Sequence, residues 1–258
     1  MLLRLTPFAL LAIAIPGAAH AQEREPLRTR IYLGPQLSPK TPGAKDLSFG
    51  PFFDVSRARG DDPFDFEAPD ESFGFPVADA GGIEFGPALG FKGKRKAADI
   101  GVPLHEVGFS FEIGAFAQTY LAPELRIRAE GRKAVSGHRG WVGEVGADYV
   151  AREGDDWLFS IGPRVTLADA EYHRAWYGIT PADSVASGLA TFRPGGGVEA
   201  VGISAGYLRQ LTPSLGFAAY ARYDRLVGDA AKSPYVRAAG SRSQPSLGLA
   251  LSYTFARR

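Results

Sequence analysis

Leu247-Gly248-Leu249-Ala250-Leu251-Ser252-Tyr253-Thr254-Phe255 decides the fold. Five large apolar residues, Leu247, Leu249, Leu251, Tyr253 and Phe255, alternate with Gly248, Ala250, Ser252 and Thr254. A period of two over nine residues describes a strand with one apolar face. Further back the same alternation recurs with charge on the second face. Leu125, Ile127 and Ala129 alternate with Arg126, Arg128 and Glu130, and Val145, Ala147 and Tyr149 with Glu144, Gly146 and Asp148. Val107–Ala115, Ile83–Phe91 and Val201–Tyr207 repeat it, with Glu112 on the polar face of the first. In a soluble sandwich the apolar faces meet in a core, whereas in a membrane barrel they meet lipid and the charges fill the lumen. Runs of about ten or more residues favour the barrel, since sandwich strands are usually about 5–6 residues and a barrel strand needs about 9–11 to cross a bilayer.

Connection lengths point the same way. Long segments at Lys92–His105, Ala168–Gly195 and Val227–Pro245 alternate with tight turns at Leu121–Glu124, Glu153–Asp156 and Leu211–Ser214, and Lys133–Gly140 is intermediate. Short turns at one end and long loops at the other are the outer-membrane pattern, with the short turns periplasmic and the long loops extracellular. The fold class expected is therefore all-β: an antiparallel transmembrane β-barrel. Eight strands from Ile83 onward join Thr29–Leu37 and Asp46–Arg57 to make ten. A strand pair within Pro63–Ala78 would make twelve, the preferred count, although Pro63, Pro69 and Pro76 weaken ladder pairing.

Composition agrees. Among 258 residues, 32 glycines with 17 Phe, 10 Tyr and 3 Trp suit strands and turns better than helices. Arg4, the apolar stretch Leu5–Ile15 and Ala19-His20-Ala21 read as a cleaved signal peptide over 1–21, leaving 22–258 as one barrel domain. Without Arg4 the basic residues number 28, equal to the 28 acidic ones, so nothing suggests a nucleic-acid partner. The chain has no cysteine, which removes disulfides, thiolate metal sites and an acylated lipoprotein anchor.

The two long C-terminal loops carry the most specific pattern. Tyr177-Gly178-Ile179-Thr180-Pro181 is followed by Ser184, by Ser187-Gly188, and by Phe192 and Pro194–Gly197. Further on stand Gly228-Asp229, Ser233-Pro234, Gly240-Ser241 and Gln244, then Tyr253-Thr254-Phe255. This order resembles the MipA/OmpV family of outer-membrane proteins, strongly from Trp157 to Phe255 and more weakly from Ile31. The resemblance implies a monomeric barrel among outer-membrane lipid. In one branch it implies a scaffold joining a murein-cleaving lytic transglycosylase to a murein-synthesising penicillin-binding protein; other branches are porin-like or adhesin-like. One departure is that Ala256-Arg257-Arg258 follow Phe255, where barrels usually end on an aromatic residue.

The loop residues admit two readings: they fold the loops, or they form a binding rim. Asp229 and Ser233 stand where an Asx-type turn would close the Gly228–Pro234 corner. Glu112, Arg126, Arg128, Glu130, Arg132, Glu144, Asp148, Arg152, Arg164, Glu199, Arg222 and Asp224 are expected to point into the lumen. There they either pair and plug the interior or line a narrow pore. Lys92-Gly93-Lys94-Arg95-Lys96 reads as a solvated charge run, or as a contact for lipopolysaccharide phosphates. His105, His138 and His173 lack metal-ligand spacing, and Ser136-Gly137-His138 lies in a loop with no nucleophile elbow. No enzyme activity, cofactor or metal is expected.

Overall fold

The computed structural model describes residues 25–257, so the signal peptide expected at 1–21 lies outside the described residues. The strands are β1 (Leu27–Pro39), β2 (Leu47–Arg59), β3 (Ala78–Ala80), β4 (Ile83–Lys92), β5 (Ser110–Ala122), β6 (Leu125–Ala134), β7 (Trp141–Glu153), β8 (Trp157–Ala168), β9 (Gly197–Gln210), β10 (Leu215–Leu226) and β11 (Ser243–Arg257). Five short helices lie in the long connections: α1 (Ala97–Ile100), α2 (Ala170–Tyr177), α3 (Pro181–Ser187), α4 (Gly228–Lys232) and α5 (Pro234–Ala238). Among the described residues no helix is long and apolar enough to cross a membrane.

All strands join one antiparallel sheet in the order β2-β1-β11-β10-β9-β8-β7-β6-β5-β4-β3. The alternation seen in the sequence sorts the side chains inside out. Leu249 and Leu251 are 62% and 68% exposed on the outer face, while Arg126 and Asp148 on the inner face are 0% and 1% exposed. A soluble protein would bury the leucines and hydrate the charges. A wall surrounded by hydrocarbon reverses that order, because lipid costs an apolar side chain nothing and a charge several kcal/mol (about 2–4 at mid-bilayer).

The strand count differs from the expected twelve, and from ten. The sheet has eleven strands, and no ladder joins β2 to β3. Direction explains the gap. β2 runs away from the long-loop end, and so does the stretch ending in β3, which follows β4 through the Phe73–Leu89 bridge. An antiparallel wall needs one more strand running the other way between them. The chain from Asp61 to Ser72 runs that way, but it lies inside the lumen instead. Pro63 and Pro69 cannot donate to a ladder, and Asp70 and Glu71 bind arginines on the opposite wall. Gly206 on β9 admits the segment: a Cβ there would come within 3.1 Å of the Pro69 ring.

At one end the connections are tight, over 123–124, 154–156 and 211–214. The largest apolar core sits at the other end, outside the sheet's span. Sixteen buried residues from several connections and the adjoining strand ends form it, with Trp176, Tyr177, Ala230 and Tyr235 fully buried. The long loops are thus one folded cap.

Candidate functional site

Inside the wall the charges form one continuous chain of ion pairs. Arg132 Nε meets Glu112 at 2.9 Å, and His138 Nε2 adds a hydrogen bond to the same carboxylate at 2.9 Å. Arg132 also contacts Glu130, which Arg128 reaches at 3.2 Å. Arg128 and Arg126 both hold Glu71. Arg126 then binds Asp148 at 2.8 Å, Arg164 binds Asp148 at 2.7 Å, and Arg164 reaches Asp70 at 2.9 Å. Arg222 closes the series on Asp70, Glu144 and Asp224 at 2.6–2.8 Å. Ten of the twelve charges expected to face inward belong to this chain, paired along a strand as in Arg128–Glu130 and Arg222–Asp224 and across strands as in Arg126–Asp148. Arg152 instead donates to the Phe64 carbonyl and to Asp155, and Glu199 accepts from the Tyr177 hydroxyl.

The pivotal members were absent from that reading. Asp70 and Glu71 belong to the luminal segment, and each is gripped by two arginines; Ser204 Oγ donates to Asp70 at 2.8 Å. Arginine also stacks on the segment's rings, Arg30 over Phe64 at 4.1 Å and Arg126 over Phe66 at 4.3 Å. Phe66 and Ala68 pack with Val150 and Leu158 of the far wall. Buried pairs of this kind add little net stability because desolvation offsets attraction, but removing one partner is costly. They fix where the segment lies.

The cap accounts for the loop residues singled out from the sequence. Thr180 caps α3 by accepting from the Asp183 N–H at 3.1 Å, Asp183 accepts back from the Thr180 N–H at 2.9 Å, and Pro181 follows at the first helical position. The Ser184 carbonyl accepts from Gly188 N–H at 2.9 Å, and Gly188 ends the helix at φ 72°. Ser187 Oγ donates to the Asp183 carbonyl at 2.6 Å. Gly178 closes α2 on the Arg174 carbonyl, and Ile179 pairs with Phe192. Gly228 turns at φ 51° into α4, and Pro234 opens α5.

Asp229 and Ser233 do not make the expected Asx-type turn. Asp229 reaches across to the Gly195 N–H at 2.8 Å, and Ser233 donates to the Tyr177 carbonyl at 2.8 Å. Both side chains join separate loops, and the Ser233 bond satisfies a buried backbone carbonyl. Gln244 does the same, accepting from Gly43 N–H at 3.1 Å and donating to the Ala44 carbonyl at 3.0 Å. Arg95 corrects the reading of Lys92–Lys96 as a solvated run. It is fully buried and donates to the Trp176 and His105 carbonyls. Burial pushes its guanidinium pKa down, against the opposing pull of Tyr235 and Asp183.

The histidines serve as braces. Gly140 N–H donates to His138 Nδ1 at 3.1 Å, so Nε2 carries the proton that points to Glu112. The same ring packs edge-on against Tyr172 at 4.8 Å, tying the lumen network to the cap. Ser136 Oγ is occupied by the Phe109 carbonyl and the Phe111 N–H. His105 Nδ1 lies 2.8 Å from Asp183, whose second oxygen accepts the His105 N–H at 2.6 Å. Burial opposes ionisation of Asp183, but the bonds from His105 and Thr180 outweigh it and hold the carboxyl at about 2. His173 donates from Nδ1 to the Gly195 carbonyl. No group of three or more His, Asp or Glu placed to hold a metal occurs among the described residues.

Two large cavities lie among the described residues. One of about 860 Å³ lies beneath the cap, bounded by Tyr172, Tyr177, Glu199 and Arg222. The other, of about 680 Å³, lies between β2, the luminal segment and β4–β6.

A family model described as MltA-interacting protein MipA matches residues 31–255. No curated protein matches the chain. Among solved structures, an outer membrane channel from Pseudomonas putida F1 is 10% identical, with 94% of this chain and 100% of that chain covered and a TM-score of 0.39. The outer membrane protein OprG from Pseudomonas aeruginosa is 9% identical, with 90% and 97% covered and a TM-score of 0.29.

Proposed function

Since the chain belongs to the MltA-interacting protein MipA family of outer-membrane β-barrel proteins, we propose that it is a non-enzymatic scaffold for murein enzymes. In this reading a lytic transglycosylase and a penicillin-binding protein dock on its periplasmic end. The single observation that carries the reading is the occupied lumen. The segment Asp61–Ser72 is anchored to the far wall by Arg126, Arg164 and Arg222, and the cap folds over the other end. With the luminal segment bound to the wall and much of the cap buried, the tight turns are the surface that an outer-membrane barrel offers to the murein side. Murein and its enzymes lie on the side where an outer-membrane barrel presents short turns. Glu124, Gly154 and Leu211–Ser214 are the contacts within reach there, and Leu211 is 62% exposed.

The rival readings ask more of the molecule. A diffusion channel needs the ion-paired segment displaced. An adhesin would have to use the loop side chains left exposed, such as Val185, because Tyr177, Ile179 and Ser233 are buried within the cap. The scaffold is tested by crosslinking the tagged protein in living cells and identifying what it captures. Enrichment of a lytic transglycosylase together with a penicillin-binding protein supports it. Capture of only the barrel-assembly machinery and abundant porins overturns it, and a steady single-channel conductance in planar bilayers favours the channel.

A further inference from the structure

The edge of β2 that faces away from β1 has no strand partner. It borders a gap in the wall at membrane depth, where free backbone groups facing hydrocarbon are strongly disfavoured. A lumen opening sideways resolves this, because irregular backbone is tolerated where it lines a cavity. The 680 Å³ cavity lies behind the gap, bounded by Phe52 and Phe53 on one side and Leu89 and Phe91 on the other. It continues into the 860 Å³ cavity under the cap, since Gln36, Asp70, Phe91, Lys92 and Arg132 line both.

The cleft is zoned. Its outer rim is aromatic, with Phe53, Phe73 and Phe91 all exposed on the lipid side. Its upper part carries two lysines: Lys40 lies one residue beyond β1 and Lys92 is the last residue of β4, both at the long-loop end, and both line the upper cavity. Neither lysine forms an ion pair among the described residues, where the lysine pairs are Lys133–Glu171 and Lys232–Asp229. The Lys92 amine stands 5.7 Å from the Tyr172 ring. The carboxylates around the upper cavity are already held: Asp70, Glu144 and Asp224 by Arg222, Glu199 by the Tyr177 hydroxyl, and Glu112 by Arg132 and His138.

We propose that this cleft is a lateral binding site for an anionic lipid of the surrounding leaflet. One chain lies along the Phe53–Phe73–Phe91 rim, and the phosphate-bearing headgroup enters under the cap at Lys40 and Lys92. The order of the zones matches the order of a lipid whose headgroup faces the long-loop side. The site does not depend on the scaffold reading, and either can fail without the other.

The full barrel, purified in a non-ionic detergent, is titrated with lysophosphatidylglycerol and with lysophosphatidylcholine of equal chain length, bound copies being counted by native mass spectrometry. One tightly bound lysophosphatidylglycerol is expected. Lys40→Gln with Lys92→Gln should weaken it about 30-fold, from about 1 kcal/mol per lysine, and leave lysophosphatidylcholine unchanged. Equal affinity for the two lipids, or a variant that binds like the parent, overturns the headgroup site. An unchanged gel shift on boiling verifies that the variant is folded. A lysophosphatidylglycerol with a diazirine in its chain then locates the chain. Insertion concentrated at Phe53, Phe73 and Phe91 is the expected result. Labelling spread equally over outward residues elsewhere on the wall, such as Leu249 and Leu251, overturns the cleft.

Discussion

Asp70→Asn removes one charge from the point where the luminal segment is held, with almost no change of volume. Asp70 accepts from Arg164 Nε at 2.9 Å and Nη2 at 3.2 Å, from Arg222 Nη1 at 2.8 Å, and from Ser204 Oγ at 2.8 Å. Its side chain and that of Arg164 are each 3% exposed. Breaking a buried pair by removing one partner costs about 3–5 kcal/mol. Asparagine keeps one acceptor oxygen, and Asp148 and Glu144 still neutralise the two arginines in part, so the lower end, about 3 kcal/mol, applies. At about 1.4 kcal/mol per tenfold, the anchored segment loses about 100-fold in population relative to the released one. The readouts are single-channel conductance in planar bilayers and the urea midpoint in micelles. The parent should be electrically quiet and Asp70→Asn should flicker, with a lower midpoint. Arg164→Gln should reproduce both effects, and the double variant should add less than the sum, because the two residues share one interaction. Equal conductance and stability within about 0.5 kcal/mol for parent and Asp70→Asn would refute the reasoning.

Four further outcomes follow from the cap. Asp183 is held at about 2 by His105 and Thr180, below its ordinary 3.8; a lowered carboxyl stabilises the folded cap above pH 4 and loses that contribution, about 2 kcal/mol, as pH falls from 4 through 2. Trp176 fluorescence reports the loosening, and Asp183→Asn should abolish the pH dependence in that window. Trp176→Ala deletes a fully buried ring and should cost about 3–5 kcal/mol, seen as proteolysis within 169–196 while the strands stay resistant. Tyr177→Phe strips the hydroxyl that donates to buried Glu199 and should lower the thermal midpoint by an amount equivalent to about 1–3 kcal/mol. Gly188→Val places a β-branched residue at φ 72° and should destabilise α3 by about 1–2 kcal/mol, measured by amide exchange at Ser184 and Ser187.

The wall was legible because its code is local. Leu247 to Phe255 declares its outer face residue by residue, and so do Leu125–Ala129 and Val145–Tyr149. The luminal segment was illegible for the same reason. Phe64, Phe66 and Ala68 alternate with Asp65, Glu67 and Glu71 much as a wall strand would, so periodicity alone assigns them to the sheet. What places them inside is pairing with Arg126, Arg164 and Arg222, each more than 50 residues away. The loop residues were legible as a pattern but not as a core. Ile100, Leu104, Tyr172, Trp176 and Tyr235 come from connections with no common period. Arg95 shows the cost of reading charge locally, since a lysine-rich neighbourhood conceals one buried clamp.

The cap also imposes an order of events on the chain. Gly43 lies in the first connection, yet its N–H and carbonyl are satisfied by Gln244 and Ser241, about 200 positions later. Those partners reach it only once β11 is beside β1. Loop closure on that scale is entropically expensive, so this clasp cannot form before β11 reaches β1. Separating β1 from β11 along its whole length therefore also pulls Gly43 from Gln244 and Ser241, so the clasp ties the seam to the cap.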